Sequence, residues 1–458
     1  MRPNLLFTLI LLLTPLTAIG QNPGQVTERI KCNIDTSHQY ALYLPGNYVP
    51  QKSWPALFIY DAQGNGTVGI DRFKAGAEKY GYILVGSYNY RNGPVDKGFE
   101  AARILLEEVT QEWSVDMNRI YTAGMSGGAR MASTVGVVTG RIAGVIAIGA
   151  AFNFMNEPSE KSHFDLVGIT GDKDMNYREL PRAREVLRDL GASAHVITYD
   201  GKHRWCHEKQ ATEALEWLEV MAMKKGLKAQ NTEFLNAFEQ KKLQEADSLY
   251  KAEKLVAAQA LYQSISLNFP ETQAKAAQGK LEKLSGQKAF KKQQKAWERL
   301  MEKEYQKEVK FRAALKQVKS VVTVDSVYDW WKDEIRKLNQ NLLKAKTDEL
   351  KNSAKRSLGF IGLFCFSTAS QHMYQQNWNE ALPYFMVVSR ISPGHPDVNY
   401  FMAKMYALND MDRQSKWHLK QATKAGFHHP EQSEIDRNAL LDTSEFFWLS
   451  GRVVEATF

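Results

Sequence analysis

The residues best suited to chemistry form a short run, Gly124-Met125-Ser126-Gly127-Gly128. An apolar segment of strand length, Ile120-Tyr121-Thr122-Ala123, leads into it, and small residues that suit a helix start follow. A Gly-x-Ser-x-Gly turn between strand and helix holds its serine at a strained position, with the hydroxyl clear of the sheet edge. The flanking glycines leave room where two backbones approach too closely for side chains. A serine hydroxyl is a poor nucleophile at neutral pH, so a base must take its proton. That base needs a carboxylate to fix its tautomer and stabilise the imidazolium. Downstream, Gly171-Asp172-Lys173-Asp174 follows the apolar run Leu166-Val167-Gly168-Ile169 and offers two acids, Asp172 and Asp174. Tyr199-Asp200-Gly201-Lys202-His203-Arg204-Trp205 follows Ala194-His195-Val196-Ile197, and His203 and His207 are the candidate bases. His203, Cys206 and His207 could also read as metal ligands, but no second cluster at ligand spacing accompanies them.

The elements that must position these groups alternate along residues 26–226. Strands are expected at Ile30 to Ile34, Tyr40 to Leu44, Pro55 to Tyr60, Tyr82 to Ser87, Ile120 to Ala123, Val145 to Ile148, Leu166 to Ile169 and Ala194 to Ile197. Helices are expected at Asp71 to Tyr80, over 97–113, directly after Ser126, at Glu179 to Leu190 and at Glu208 to Met223. Such alternation implies an α/β fold, a doubly wound and mostly parallel sheet with helices on both faces. Reactive groups then belong at the carboxyl ends of the strands, which is where Ser126, Asp172, Asp174 and His203 fall, whereas His207 is expected within the helix that follows.

In chain order, serine then acid then histidine, these residues resemble the α/β-hydrolase family, in particular its compact secreted esterases and polyhydroxyalkanoate-depolymerase-like members. The resemblance spans roughly residues 36–222. It implies an acid three residues after the loop glycine, Asp174, and a histidine trailed by a tryptophan two positions on, His203 with Trp205. The implied triad is Ser126, Asp174 and His203. The implied oxyanion donors are the backbone N–H of Gly127 and one from the loop after Tyr60, at Asp61 or Ala62. A His-Gly-Gly sequence is usual there, whereas this chain has Tyr60-Asp61-Ala62-Gln63-Gly64. An anionic intermediate at that loop requires the Asp61 carboxylate to point away. Arg91-Asn92-Gly93 also faces the site in this topology, as a plain turn or as a contact to a polar substrate group. The short interval after the Val145 strand leaves little room for a large lid and suits bulky or polymeric esters.

From about Leu227 strand-like runs nearly vanish, and an all-α helical-repeat domain over 227–458 is expected. Ala246, Ala258, Tyr262, Ile265 and Pro270 recur at the same offsets as Ala369, Ala381, Phe385, Val388 and Pro393. A third copy, 34 residues further on, has Ala403, Ser415, Leu419 and Ala422 and ends in Gly426-Phe427. Small residues at fixed points let paired helices pack closely, and the period resembles that of the tetratricopeptide repeat. The match covers 232–271 and 364–427; the charged stretch between, with Trp297, Trp330 and Trp331, reads as long divergent helices. Such repeats would bind a protein partner or steady the α/β domain.

The net charge of +8 is local, since residues 271–360 carry 22 Lys and Arg against 12 Asp and Glu. Alternating lysine and glutamate mark a solvated helix face rather than a nucleic-acid surface. Arg2, the apolar run Leu5 to Leu16 and Ala18-Ile19-Gly20 fit a secretory signal peptide over 1–20, leaving an α/β domain over 21–226 and a periplasmic or extracellular product. No later stretch is apolar and long enough to span a membrane. In an oxidising compartment Cys32 and Cys206 could pair, leaving Cys365 alone, or all three could be isolated thiols. The expected activity is that of an exported serine hydrolase cleaving carboxylic esters through an acyl-enzyme, with no cofactor. A serine peptidase of the same fold and a non-catalytic adaptor using the helical repeats are the alternatives.

Overall fold

The computed structural model describes residues 22–152, 157–318 and 325–429, together with 435, 437–441, 443 and 453. The expected leader over 1–20 lies outside the described residues. Eight strands form one sheet: β1 (Val26–Lys31), β2 (Gln39–Tyr43), β3 (Trp54–Asp61), β4 (Ile83–Ser87), β5 (Val115–Met125), β6 (Gly144–Ile148), β7 (Asp165–Gly171) and β8 (Ala194–Tyr199). Their spatial order is β1-β2-β4-β3-β5-β6-β7-β8. The β1–β2 and β2–β4 pairs are antiparallel and every later pair is parallel. This mixed sheet fits the α/β-hydrolase architecture.

Side-chain alternation sorts each central strand between two cores, which is why these strands are apolar almost throughout. From β3, Leu57 and Ile59 pack with α1 (Val68–Tyr80) and α5 (Glu208–Lys224) through Ile70, Phe73, Leu215 and Leu218. Ala56, Phe58 and Tyr60 pack on the other face with α2 (Val95–Glu112), α3 (Gly127–Thr139) and α4 (Glu179–Asp189) through Leu105, Ala132 and Leu187. Cys32 belongs to the second core and Cys206 to the first, so the sheet stands between them. The disulfide considered from the sequence is absent; all three cysteines are buried free thiols.

The helical region begins with α6 (Thr232–Lys251), α7 (Leu255–Asn268) and α8 (Glu271–Ser285). These helices extend the core on the α1 and α5 face. Trp217 of α5 meets Phe238 and Phe269 edge-on, with ring centroids 5.4 and 5.6 Å away, and stacks at 4.0 Å on His195 of β8. A third core gathers α9 (Lys288–Leu315), α10 (Asp325–Lys344), α11 (Asp348–Tyr374), α12 (Trp378–Ile391), α13 (Pro396–Ala407) and α14 (Asp412–Lys424) around Trp331, Ile361, Phe385 and Phe401. The repeated positions Ala246, Ala258, Ile265, Ala369, Ala381, Val388, Ala403 and Ala422 are all buried. The alanines among them let neighbouring helices approach.

Three elements differ from expectation by three residues or more at one end or both. The first strand spans Val26–Lys31 rather than Ile30 to Ile34, because it is a sheet edge with one face open and Ile34 is 44% exposed beyond it. Helix α1 starts earlier, at Val68, although Gly69 is a poor helix former. A Cβ at Gly69 would stand 2.3 Å from an Ile59 methyl, so close helix–sheet packing selects the glycine. Strand β5 begins at Val115, ahead of the apolar run that marked it.

His195 is buried, its Nδ1 has no hydrogen-bond partner among the described residues, and burial holds its imidazole well below the ordinary histidine value of 6.5. A depressed folded pKa means that the unfolded chain takes up the proton first as pH falls. This contribution is therefore fully present above pH 6.5 and is lost on acidification below it, by up to about 1.4 kcal/mol per pH unit. We predict that His195→Phe, which keeps a ring against Trp217, flattens the fall in unfolding free energy between neutral and acidic pH in urea titrations. An unchanged pH dependence would contradict this.

Candidate active site

Met125 ends β5 and Gly127 opens α3, so Ser126 carries the whole reversal between strand and helix. Its backbone sits at φ 56° and ψ −115°, a region that a side chain adopts only under constraint. The constraint is close packing. A Cβ at Gly128 would stand 1.9 Å from the Tyr60 carbonyl oxygen, and one at Gly124 would stand 2.3 Å from the Gly128 carbonyl carbon. Strand β3, strand β5 and helix α3 therefore meet backbone to backbone. The Ser126 N–H donates to Ile148 O at 2.8 Å and the Tyr90 hydroxyl donates to Gly127 O at 2.7 Å, securing the turn on both sides.

The Ser126 hydroxyl is half-buried and lies 2.9 Å from His203 Nε2, and His203 Nδ1 lies 2.9 Å from Asp174 Oδ1. With Nδ1 protonated and donating to the carboxylate, Nε2 is left to accept the serine proton. Asp174 is almost wholly buried, and its Oδ1 also accepts from Asn176 N at 2.8 Å. Gly149 lines the back of this pair: its φ is 65°, and a Cβ there would stand 2.8 Å from Asp174 Oδ2. The Asn176 amide donates to Gly149 O at 2.9 Å and closes that wall. Arg130 reaches from α3 to Phe152 O and Glu179, and Glu179 accepts from Ala151 N, so the loop after β6 is tied to the serine helix.

The other candidates lie elsewhere. Asp172 Oδ1 accepts from Gly201 N at 3.2 Å and its Oδ2 from Asn352, and it takes no part in the contact to His203. His207 precedes α5 and sets its ring edge-on to Tyr199, 6.0 Å between centroids. Cys206 points into the core, and burial pushes its thiol up to about 12.

Gly127 is the first residue of α3, so its N–H has no intrahelical acceptor. Among the described residues neither it nor the Ala62 N–H donates a backbone hydrogen bond, while Ala62 O accepts from Asn92 N at 2.9 Å. The Asp61 carboxylate is turned back on its own loop. Its Oδ2 accepts from Gln63 N and Asn65 N, and its Oδ1 from Trp205 Nε1 at 3.0 Å. Two separate features of the sequence, the acidic residue in the loop after β3 and the tryptophan after His203, are thus one hydrogen bond. Asn92 lies over the turn, its Oδ1 1.8 Å from where a Gly127 side chain would begin. Gly149, Asn176, Arg130 and Glu179 were not singled out from the sequence, since none carries a local signal beyond its residue type.

No family model matches the chain, and no curated protein does so. Similar solved structures include an esterase of Thermogutta terrifontis phosphonylated by sarin, 13% identical, covering 47% of this chain and 100% of its own at a TM-score of 0.37. Est1E from Butyrivibrio proteoclasticus is 13% identical and covers 41% of this chain and 96% of its own, with a TM-score of 0.33. An S-formylglutathione hydrolase of Staphylococcus aureus is 12% identical over 43% of this chain and 98% of its own, at 0.34. At these values the likeness assigns no activity to this chain.

Trp205→Phe removes the donor to Asp61 while keeping an aromatic body. The freed carboxylate then faces the loop that holds Ala62. The expected result is a fall of about tenfold in the rate at which a fluorophosphonate reacts with Ser126, with Asp61→Asn on the same background recovering part of it. Equal rates for wild type and Trp205→Phe would contradict the orientation argued for Asp61.

Proposed function

We propose that this protein is an exported serine hydrolase, a carboxylic-ester hydrolase that works through an acyl-enzyme on Ser126. The observation that carries the reading is the unbroken chain Ser126 Oγ to His203 to Asp174, built on a serine held at φ 56°. Ser126 Oγ attacks the ester carbonyl as His203 Nε2 takes its proton. The negative oxygen of the tetrahedral intermediate accepts from the backbone N–H groups of Gly127 and Ala62. Collapse breaks the carbon–oxygen bond to the alcohol, which leaves with the proton from His203. Water then repeats the attack on the acyl-enzyme, with His203 again as base, and the acid departs. Asp174 keeps Nδ1 protonated and stabilises the imidazolium throughout.

Asp61 stays out of the oxyanion site because its carboxylate is fully engaged within its loop and with Trp205. That orientation favours an enzyme over a non-catalytic adaptor. Esters suit the site better than amides, since expulsion of an alcohol needs less assistance than expulsion of an amine. The apolar leader supports export, and the repeated helices support tetratricopeptide-like pairs that receive a protein partner or steady the α/β domain.

Hydrolysis of p-nitrophenyl acetate and of matched anilides by the mature protein tests the reading. We predict measurable ester turnover, at least a hundredfold slower anilide turnover, and loss of about a millionfold in kcat for Ser126→Ala or His203→Ala. Asp174→Asn is expected to cost about ten-thousandfold, because it favours the wrong histidine tautomer. Ester turnover that survives in Ser126→Ala would overturn the assignment.

A further inference from the structure

Asp172, two residues before Asp174, sits where three segments join. Its N–H donates to Tyr199 O at 2.8 Å and its Oδ1 accepts from Gly201 N, which ties the Asp174 loop to the His203 loop. Lys173 N donates to Gly201 O at 2.9 Å and completes that seam. The remaining Asp172 oxygens turn to helix α11. Oδ2 accepts from the Asn352 amide at 2.7 Å, and the Asp172 carbonyl accepts from Arg356 Nη1 at 2.6 Å. Arg356 is 6% exposed, and its other nitrogens engage Glu304 of α9, which is equally buried.

The far side of Asp174 is anchored in the same helices. Met175 belongs to the third core and packs against Gly359 of α11. The Arg356 guanidinium lies 4.6 Å from the centre of the Tyr177 ring, and Arg178 pairs with Glu308 of α9 at 3.0 Å. Residues on both sides of the buried carboxylate are therefore held by a region more than a hundred residues away in sequence.

We propose that α9 and α11 belong to the catalytic apparatus, with Asn352, Arg356 and Glu304 as positioning residues that hold the Asp174 and His203 loops in register. On this account the helical region is required for turnover and is not a detachable binding module. Arg356 carries the point best geometrically, because a planar guanidinium serves Glu304 and the Asp172 carbonyl at once. Breaking a buried ion pair endangers folding, so the informative site is Asn352, at the edge of the junction. The inference rests on the serine-hydrolase reading, and the test separates the two.

Asn352→Asp sets two carboxylates against each other, whereas the exchange Asn352→Asp with Asp172→Asn restores one donor facing one acceptor. In the full mature chain, we expect Asn352→Asp to lower kcat for p-nitrophenyl acetate by about ten- to hundredfold with KM little changed. A loosened Asp174 stabilises the imidazolium less, so the acidic limb of kcat/KM moves to lower pH. The double exchange should recover kcat and the limb. Val388→Ala, in the third core away from the junction, should lower Tm with neither kcat nor limb altered. Wild-type kcat and pH limb in Asn352→Asp, or a fall that the double exchange leaves unrelieved, would overturn the proposal while Ser126-dependent turnover stands. Turnover independent of Ser126 would overturn both readings.

Discussion

The site's geometry follows from how closely β3, β5 and α3 approach one another. Three backbones meet at Tyr60, Gly124 and Gly128 with no space for a single added carbon. That contact leaves Ser126 to complete the turn in a conformation that costs on the order of 1–3 kcal/mol. The sheet sustains it because the strands on both sides are buried on both faces, so relaxing one residue would open two cores. The strained serine is then presented to the strand-end loops that carry His203 and Asp174.

Holding those two loops is a separate problem, since loops at strand ends have few backbone partners of their own. The chain solves it with polar groups. Asp61 with Trp205, Asp172 with Gly201, Asn176 with Gly149 and Glu179 with Arg130 each join segments that leave the carboxyl ends of different strands. The helices after α5 add to this in two different ways. Helices α6 to α8 deepen the sheet core through Phe238 and Phe269, while α9 and α11 reach round to the Asp174 loop.

Much of this was legible in the residues, for reasons that differ by element. The serine turn is local, so its glycines and flanking apolar run declare it. The central strands are apolar throughout and read as buried; the edge strand β1 has one open face and begins at Val26, four residues before its apolar run. Choosing Asp174 over Asp172 needed the family resemblance, because residue type and loop position are the same for both. What separates them is depth: Asp174 is 1% exposed beside His203, whereas Asp172 faces α11. Asn352 and Arg356 gave no sequence signal at all, since an asparagine and an arginine four residues apart on a charged helix look like any solvated face. The choice between a Cys32–Cys206 pair and isolated thiols stayed open for a related reason: spacing says nothing of which side of a sheet a thiol occupies.

On the proposed reading, His203 and Asp174 activate Ser126. Peptide mapping by mass spectrometry, after brief treatment of the mature protein with a fluorophosphonate at neutral pH, tests it most directly. We expect a single phosphonyl adduct on the peptide containing Ser126, absent in His203→Ala. An unmodified Ser126 in folded wild-type protein, or an equal yield of adduct in His203→Ala, would contradict it.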